Sequence, residues 1–302
     1  YKENPKVNKI LKLEQKNEIP DTPIAKEETI EDVMMELDTL IGLENIKHDV
    51  KTLANFLKVQ KERKQRGMTK TPTSLHAVFF GPPGTGKTTV ARLLGKIYRV
   101  LGFLSKGHVI ETDRAGLVAG YVGQTSIKVD ELVKKSLDGV LFIDEAYALK
   151  QKELSGDYGQ EAIDILLKRM EDYRERLAVI IAGYTEEMKL FLEANPGIKS
   201  RFNRFFFFDH YPPDELIAIF EKFCKNGDFK LTNTAKEKLK NIFEVLYSNR
   251  DESFGNGRLA RNLFEKSTEK QSNRVVNMVP LTDEILTTIT DEDIPPVQKQ
   301  AK

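Results

Sequence analysis

Apolar residues fall into two kinds of pattern along this chain. Short unbroken runs recur at Ala77–Phe80, 109–110, Gly139–Ile143, 177–182 and 205–208, each bounded by glycine, proline or polar residues. Runs this short predict strands buried on both faces, as in a parallel sheet. Between them, apolar positions recur at three- and four-residue steps. Val90, Leu93, Leu94, Ile97 and Leu101 follow the first run and stop at Gly102. Residues 127–137 follow the second, and Ala162, Ile165, Leu166 and Met170 the third. These predict amphipathic helices. Two further helices precede the first strand. One starts at Thr29 and carries Ile30, Val33, Met34 and Leu37. The other carries Ile46, Val50, Leu53 and Leu57 and runs through a basic stretch, 58–66, to Gly67. That stretch reads as a solvated face. Strand and helix in alternation predict a parallel α/β sheet with helices on both sides.

Pro212-Pro213 ends the alternation, and beyond it the pattern is helical only, over 214–224, 234–247 and 257–276. The division that follows is a polar N-terminal arm or linker (1–30), a large α/β unit (31–210), a small all-helical unit (211–290) and a polar tail (291–302). Residues 113–125, with Gly116, Gly120 and Gly123, read as a flexible loop rather than an element.

Candidate chemistry sits where the strands end. The first apolar run leads into Gly81-Pro82-Pro83-Gly84-Thr85-Gly86-Lys87-Thr88, followed by Thr89 and a helix. Glycines at this spacing let backbone N–H groups converge on an anion, and the helix that follows adds its positive end. Lys87 offers a charge to β- and γ-phosphates, and Thr88 a hydroxyl to Mg²⁺. A plain Gly/Pro turn between core elements is the alternative, and the flanking strand and helix weigh against it. The run Gly139–Ile143 ends in Asp144-Glu145. Ligands bind at that end of parallel strands. There Asp144 would hold Mg²⁺ through water, and Glu145 would orient or deprotonate an attacking water. Tyr121-Val122, flanked by Gly120 and Gly123, is an apolar loop tip that either folds onto the core or has a partner. Arg258 falls at a helix start, an unfavourable place for a cation unless an anion is near.

Composition narrows the class. The 302 residues include 47 basic and 46 acidic side chains, net charge +1, which argues against nucleic acid as the main partner. No apolar stretch is long enough to span a bilayer. The single cysteine, Cys224, lies in an apolar helical pattern and reads as a buried structural thiol, which fits a reducing compartment. His48, His76, His108 and His210 show no metal-ligand spacing. Tyr1 in place of an initiating Met leaves room for a preceding domain or targeting peptide.

A P-loop α/β unit followed by a small helical unit resembles an AAA+ ATPase. Longer runs narrow the resemblance. They are Gly120-Tyr121-Val122-Gly123-Gln124-Thr125, Leu141-Phe142-Ile143-Asp144-Glu145-Ala146-Tyr147, Tyr158-Gly159-Gln160-Glu161-Ala162-Ile163-Asp164, Asn195-Pro196-Gly197, Ser200-Arg201-Phe202 and Phe254-Gly255-Asn256-Gly257-Arg258. Together they are similar to the CbbX/CfxQ group, which holds the red-type Rubisco activase, stage V sporulation protein K and EccA. The similarity runs from about Leu37 to about Arg274.

The resemblance implies ATP and Mg²⁺ as cofactors, and a hexameric ring of this chain or a hetero-oligomer. It also implies a protein client gripped by an aromatic pore loop of Tyr121, Val122 and Gly123. Arg201 then corresponds to an arginine finger reaching a neighbour's γ-phosphate. Arg204 is a second finger or a salt-bridge residue. Arg258 matches the sensor-2 arginine carried by the lid, and Ile41-Gly42-Leu43 would pack on adenine. The chain departs from many AAA+ proteins at sensor 1, where it reads Ala182-Gly183-Tyr184-Thr185. That leaves Tyr184 and Thr185 both open as the residue that positions water. The expected compartment is the cytoplasm, or an organelle stroma if a targeting peptide has been removed. Two alternatives stay beside the remodelling ring. One is an ATP-gated assembly switch that threads nothing. The other is a DNA-acting AAA+ protein, which the neutral charge disfavours.

Overall fold

The computed structural model describes residues 28–69, 73–121, 123–150 and 158–296. Residues 1–27 of the arm expected over 1–30, Val122, residues 151–157 and the last six residues lie outside the described residues. Five parallel strands, β1 (Ala77–Phe80), β2 (Val109–Thr112), β3 (Gly139–Ile143), β4 (Leu177–Gly183) and β5 (Phe205–Phe207), form one sheet in the order β2-β3-β4-β1-β5. Helices α1 (Ile30–Asp38), α2 (Glu44–Gln65) and α3 (Lys87–Val100) contribute to one core cluster with Phe79, Phe142 and Ile180. On the other face Val78, Phe80, Leu141 and Ile181 pack with α5 (Gln124–Ser136), α6 (Gly159–Asp172), α7 (Thr185–Glu193) and α8 (Pro196–Arg201). Alternate residues of β1 thus face opposite layers, which is why its sequence is apolar throughout.

The structure departs from the sequence reading in the 113–125 loop. It holds a short helix, α4 (Arg114–Leu117), capped by Asp113, whose side chain accepts from Gly116 N at 3.0 Å. Helix α5 begins at Gln124, three residues before the expected start, because Gly123 adopts the left-handed backbone that opens it. The sheet edge differs too. Among the described residues strand β5 pairs only with β1, and Phe205 and Phe207 are 42 % and 48 % exposed rather than buried. Phe206 alone of the three turns into the core.

The lid comprises α9 (Pro213–Asn226), α10 (Asn233–Ser248), α11 (Gly257–Val275) and α12 (Asp283–Thr287). It is helical in the main, as expected, with an added parallel pair, β6 (Lys230–Leu231) with β7 (Thr288–Ile289). The expected polar tail also differs at its start. Asp293, 1 % exposed, receives two 2.9 Å hydrogen bonds from the Arg274 guanidinium and one from Thr290 N at 2.8 Å. Ile294 beside it is fully buried. The chain is therefore pinned to the lid beyond 290.

Candidate active site

A cleft of about 540 Å³ opens at the C-terminal ends of β1, β3 and β4. Its floor is the loop from Gly81 to Gly86, and α3 starts at Lys87 directly behind it. At Gly84 the backbone is left-handed (φ +70°), and a Cβ would stand 2.1 Å from Gly255 O. Only glycine lets the lid loop come this close. Thr85 is buried and its hydroxyl donates to Pro82 O at 2.8 Å, bracing the turn. Pro82 itself does not line the cleft, whereas Pro83, Gly84, Thr85, Gly86, Lys87, Thr88 and Thr89 do.

Lys87 is 9 % exposed and donates to Gly81 O at 2.8 Å and Pro82 O at 2.7 Å. Burial lowers its ammonium to about 8, the Arg258 guanidinium adds to the lowering, and Asp144 and Glu145 oppose it. An ammonium held by two carbonyls gains an anionic partner when phosphate arrives, which favours its charged form. Asp144 and Glu145 lie across the cleft from the start of α3. Asp144 N donates to Thr112 O at 2.9 Å, which extends the β2–β3 pairing past the strand ends. Glu145 has a left-handed backbone (φ 49°, ψ 41°) and opens the 3-10 turn Ala146–Leu149. Such a conformation costs a non-glycine residue on the order of 1 kcal/mol or more and recurs at functional sites. Thr88 and Asp144 present a hydroxyl and a carboxylate to the same cleft. Two hard oxygen donors suit Mg²⁺, which keeps several waters and takes its remaining ligands from phosphates.

The upper walls come from two parts of the chain. Leu40, Ile41 and Leu43 precede α2, and Tyr211, Ile219, Phe223 and Asn226 belong to the lid side. Gly42 does not line the cleft. It is left-handed (φ +60°), with the Glu215 carboxylate packed where a Cβ would be, 2.2 Å from that position. Sequence reading missed the lid's contribution because Ile219 and Phe223, four apart on α9, read as ordinary core. Arg258 lines the cleft, as its position at a helix start suggested, and Arg261 joins it one turn on. Tyr184 also lines the cleft and Thr185 does not. Burial, and then the nearby Glu145 carboxylate, push the Tyr184 hydroxyl up, so it remains a donor.

Three expected residues lie elsewhere. Tyr121 is 73 % exposed and makes no fold-back onto the core, and Gly120 and Gly123 beside it face open space. Arg201 is absent from the lining of the nucleotide-sized cleft and lines a wider one of about 850 Å³ with Ser74, His76, Arg63 and Arg174. Its Nη1 donates to Gly197 O at 3.2 Å, and its buried Nε has no partner among the described residues. Arg204 donates to Ser74 O at 3.3 Å and lies over the Phe56 ring at 5.3 Å, so it is anchored within its own chain.

Comparison with known proteins follows this geometry. Residues 77–210 match the family described as ATPase family associated with various cellular activities (AAA), and residues 212–302 match the AAA lid domain. Stage V sporulation protein K of Bacillus subtilis is 40% identical over 281 residues, covering 93% of this chain and 85% of that protein. A CfxQ homolog of Guillardia theta is 40% identical over 88% of this chain and 91% of its own length. The ESX-3 secretion system protein EccA3 of Mycobacterium tuberculosis H37Rv is also 40% identical, over 86% of this chain but only 44% of that protein. The chain thus spans less than half the length of its EccA3 relatives. Among solved structures, the FIGL-1 AAA domain in complex with ADP has a TM-score of 0.57 at 16% identity, covering 91% of this chain and 94% of that one. The Thermotoga maritima RuvB Holliday junction branch migration motor has a TM-score of 0.52 at 22% identity, covering 83% and 69%. Those two likenesses are of fold.

Proposed function

The chain belongs to the AAA ATPase family, in the CbbX/CfxQ-like group, and on that premise we propose that it is an ATP-driven ring that pulls on a protein client. Lys87 and the N–H groups of Gly84, Thr85 and Gly86 would bind the β- and γ-phosphates. Thr88 and Asp144 would hold Mg²⁺, which when bound neutralises phosphate charge. Glu145 would orient and deprotonate the attacking water, with the Tyr184 hydroxyl as the donor that fixes its position. Leu40, Ile41 and Phe223 would enclose the base.

Arg201 would complete the site of the next copy. Its remoteness from its own chain's cleft supports that reading, since an arginine acting in cis would line it. The remodelling step rests on one observation, the exposed Tyr121 on a glycine-flanked tip. A large aromatic held in water has an energetic cost unless a partner covers it. The client would therefore be a polypeptide gripped at Tyr121, Val122 and Gly123. Tyr121→Ala is expected to keep more than half of the ATPase rate while losing at least tenfold in client remodelling. Unchanged remodelling in that variant would overturn the grip, and would favour an ATP-gated assembly switch.

A further inference from the structure

Three successive carbonyls on the outer side of the phosphate loop are taken from the lid side. Pro83 O accepts from Asn256 Nδ2 at 3.0 Å, Gly84 O from Gly257 N at 3.0 Å, and Thr85 O from Tyr211 Oη at 3.2 Å. Of the loop's own N–H groups, that of Gly81 is engaged with Gly183 O at 3.0 Å, and the N–H groups of Gly84, Thr85 and Gly86 are the ones a phosphate would take. Asn256 is the centre of this contact. It is fully buried, its Oδ1 accepts from Tyr211 N at 3.1 Å, and its Nδ2 also reaches Phe254 O at 3.0 Å. One amide therefore joins the phosphate loop, the segment entering the lid, and the turn that launches α11.

The backbone at Asn256 is unusual. It sits at φ 50°, ψ −122°, a region that side-chain-bearing residues rarely enter. Glycine would hold this conformation without strain, so the side chain's hydrogen bonds offset a backbone cost. Arg258 follows two residues later and lines the cleft. The close approach of Gly84 to Gly255 leaves no slack between the turn and the loop.

We propose that Asn256 is a positioning residue for ATP hydrolysis, latching the turn that carries Arg258 to the back of the phosphate loop so that Arg258 enters the cleft in fixed register with Lys87. The proposal rests on Arg258 facing the nucleotide phosphates. Its test is a double-mutant cycle in steady-state ATPase of the full chain, with Asn256→Gly, Arg258→Ala and both together. Asn256→Gly keeps the backbone conformation and deletes only the amide. It is expected to lower kcat about tenfold and move KM less than threefold, because the phosphate-binding N–H groups and Lys87 remain. The double variant is expected to match Arg258→Ala alone, since the latch acts through that arginine.

Losses that multiply would overturn the latch while leaving the role of Arg258 intact. An impaired Asn256→Gly beside a wild-type Arg258→Ala would overturn the role of Arg258, and the latch with it. Asn256→Asp carries the same cycle if the glycine variant melts early. It keeps an acceptor for Tyr211 N but sets a carboxylate oxygen against Pro83 O, and wild-type activity in it would also refute the latch.

Discussion

At the residue scale the site turns on the protonation of Lys87. Burial lowers the ammonium to about 8 in the folded chain, against an ordinary value near 10.5. The charged form is the one that binds phosphate. KM for ATP is therefore expected to be flat below pH 7 and to rise through pH 8, approaching tenfold per unit. Stability moves in the opposite sense. The native state releases this proton before the unfolded state does, so between about pH 8 and 10.5 the unfolded chain binds more protons. The Lys87 contribution to stability then increases with pH. Measuring KM and the melting midpoint on the same samples checks this. A KM that is level from pH 7 to 9.5 would refute it. His76 is a contrast at the same scale. It is buried, accepts from Val179 N through Nδ1 at 2.9 Å, and is held down to about 4 first by burial and then by Arg201. Its task is structural, to finish the backbone pairing below β4.

Elements show where the sequence was readable and where it was not. The phosphate loop, the Asp144-Glu145 pair and the Tyr121 loop are each contiguous, and their chemistry can be read from neighbours in the chain. The latch cannot, because Asn256 and Pro83 are 173 residues apart. Helix α4 was hidden by its length, since four residues carry no periodicity and only the Asp113 cap signals it. Strands β6 and β7, two residues each, fall below any alternation pattern. The segment after 290 looked like a solvated tail because Asp293 is charged. Its partner, Arg274, lies 19 residues earlier and makes burial of the carboxylate tolerable. Burial alone would raise the Asp293 carboxyl, but the Arg274 and Thr290 hydrogen bonds outweigh it and hold it below the usual range. Arg274→Met would strand that charge. It is expected to destabilise the chain by about 3 kcal/mol, read by urea denaturation at pH 7. The effect should shrink as the pH falls through the carboxylate range, because a protonated Asp293 no longer needs the guanidinium. A variant as stable as the parent would mean that the bridge adds nothing.

On the scale of the whole molecule, one chain brings Lys87, Asp144, Glu145 and Arg258 to one cleft, yet Arg201 stands outside it. If Arg201 serves a neighbouring copy, the ATPase rate per chain is expected to climb with chain concentration. In Arg201→Ala it should drop by about 10³-fold, the order of effect of an arginine supplied in trans. Steady-state rates over a wide dilution series, with sizing of the same samples, check this. A rate indifferent to both dilution and Arg201, in samples that sizing shows to be monomeric, would place the entire reaction within one chain. The cleft's walls also come from both parts of the chain, with Ile41 below and Ile219 and Phe223 above.

The sheet edge carries a consequence for handling the protein. Among the described residues no strand lies beyond β5, whose Phe207 O accepts from Asn45 Nδ2 at 2.7 Å, and Phe205 and Phe207 stand exposed. An exposed apolar edge invites the same edge of another molecule, and such self-pairing closes as a dimer. Here the edge is three residues long, with Arg204 before it and the exposed Asp209 shortly after. Arg204 is turned inward onto Ser74 and Phe56, so the exposed Asp209 is the charge placed to act as a gatekeeper against sticking. Self-association on concentrating the dilute protein would then track salt, which screens Asp209 and lets the phenylalanines of two copies meet.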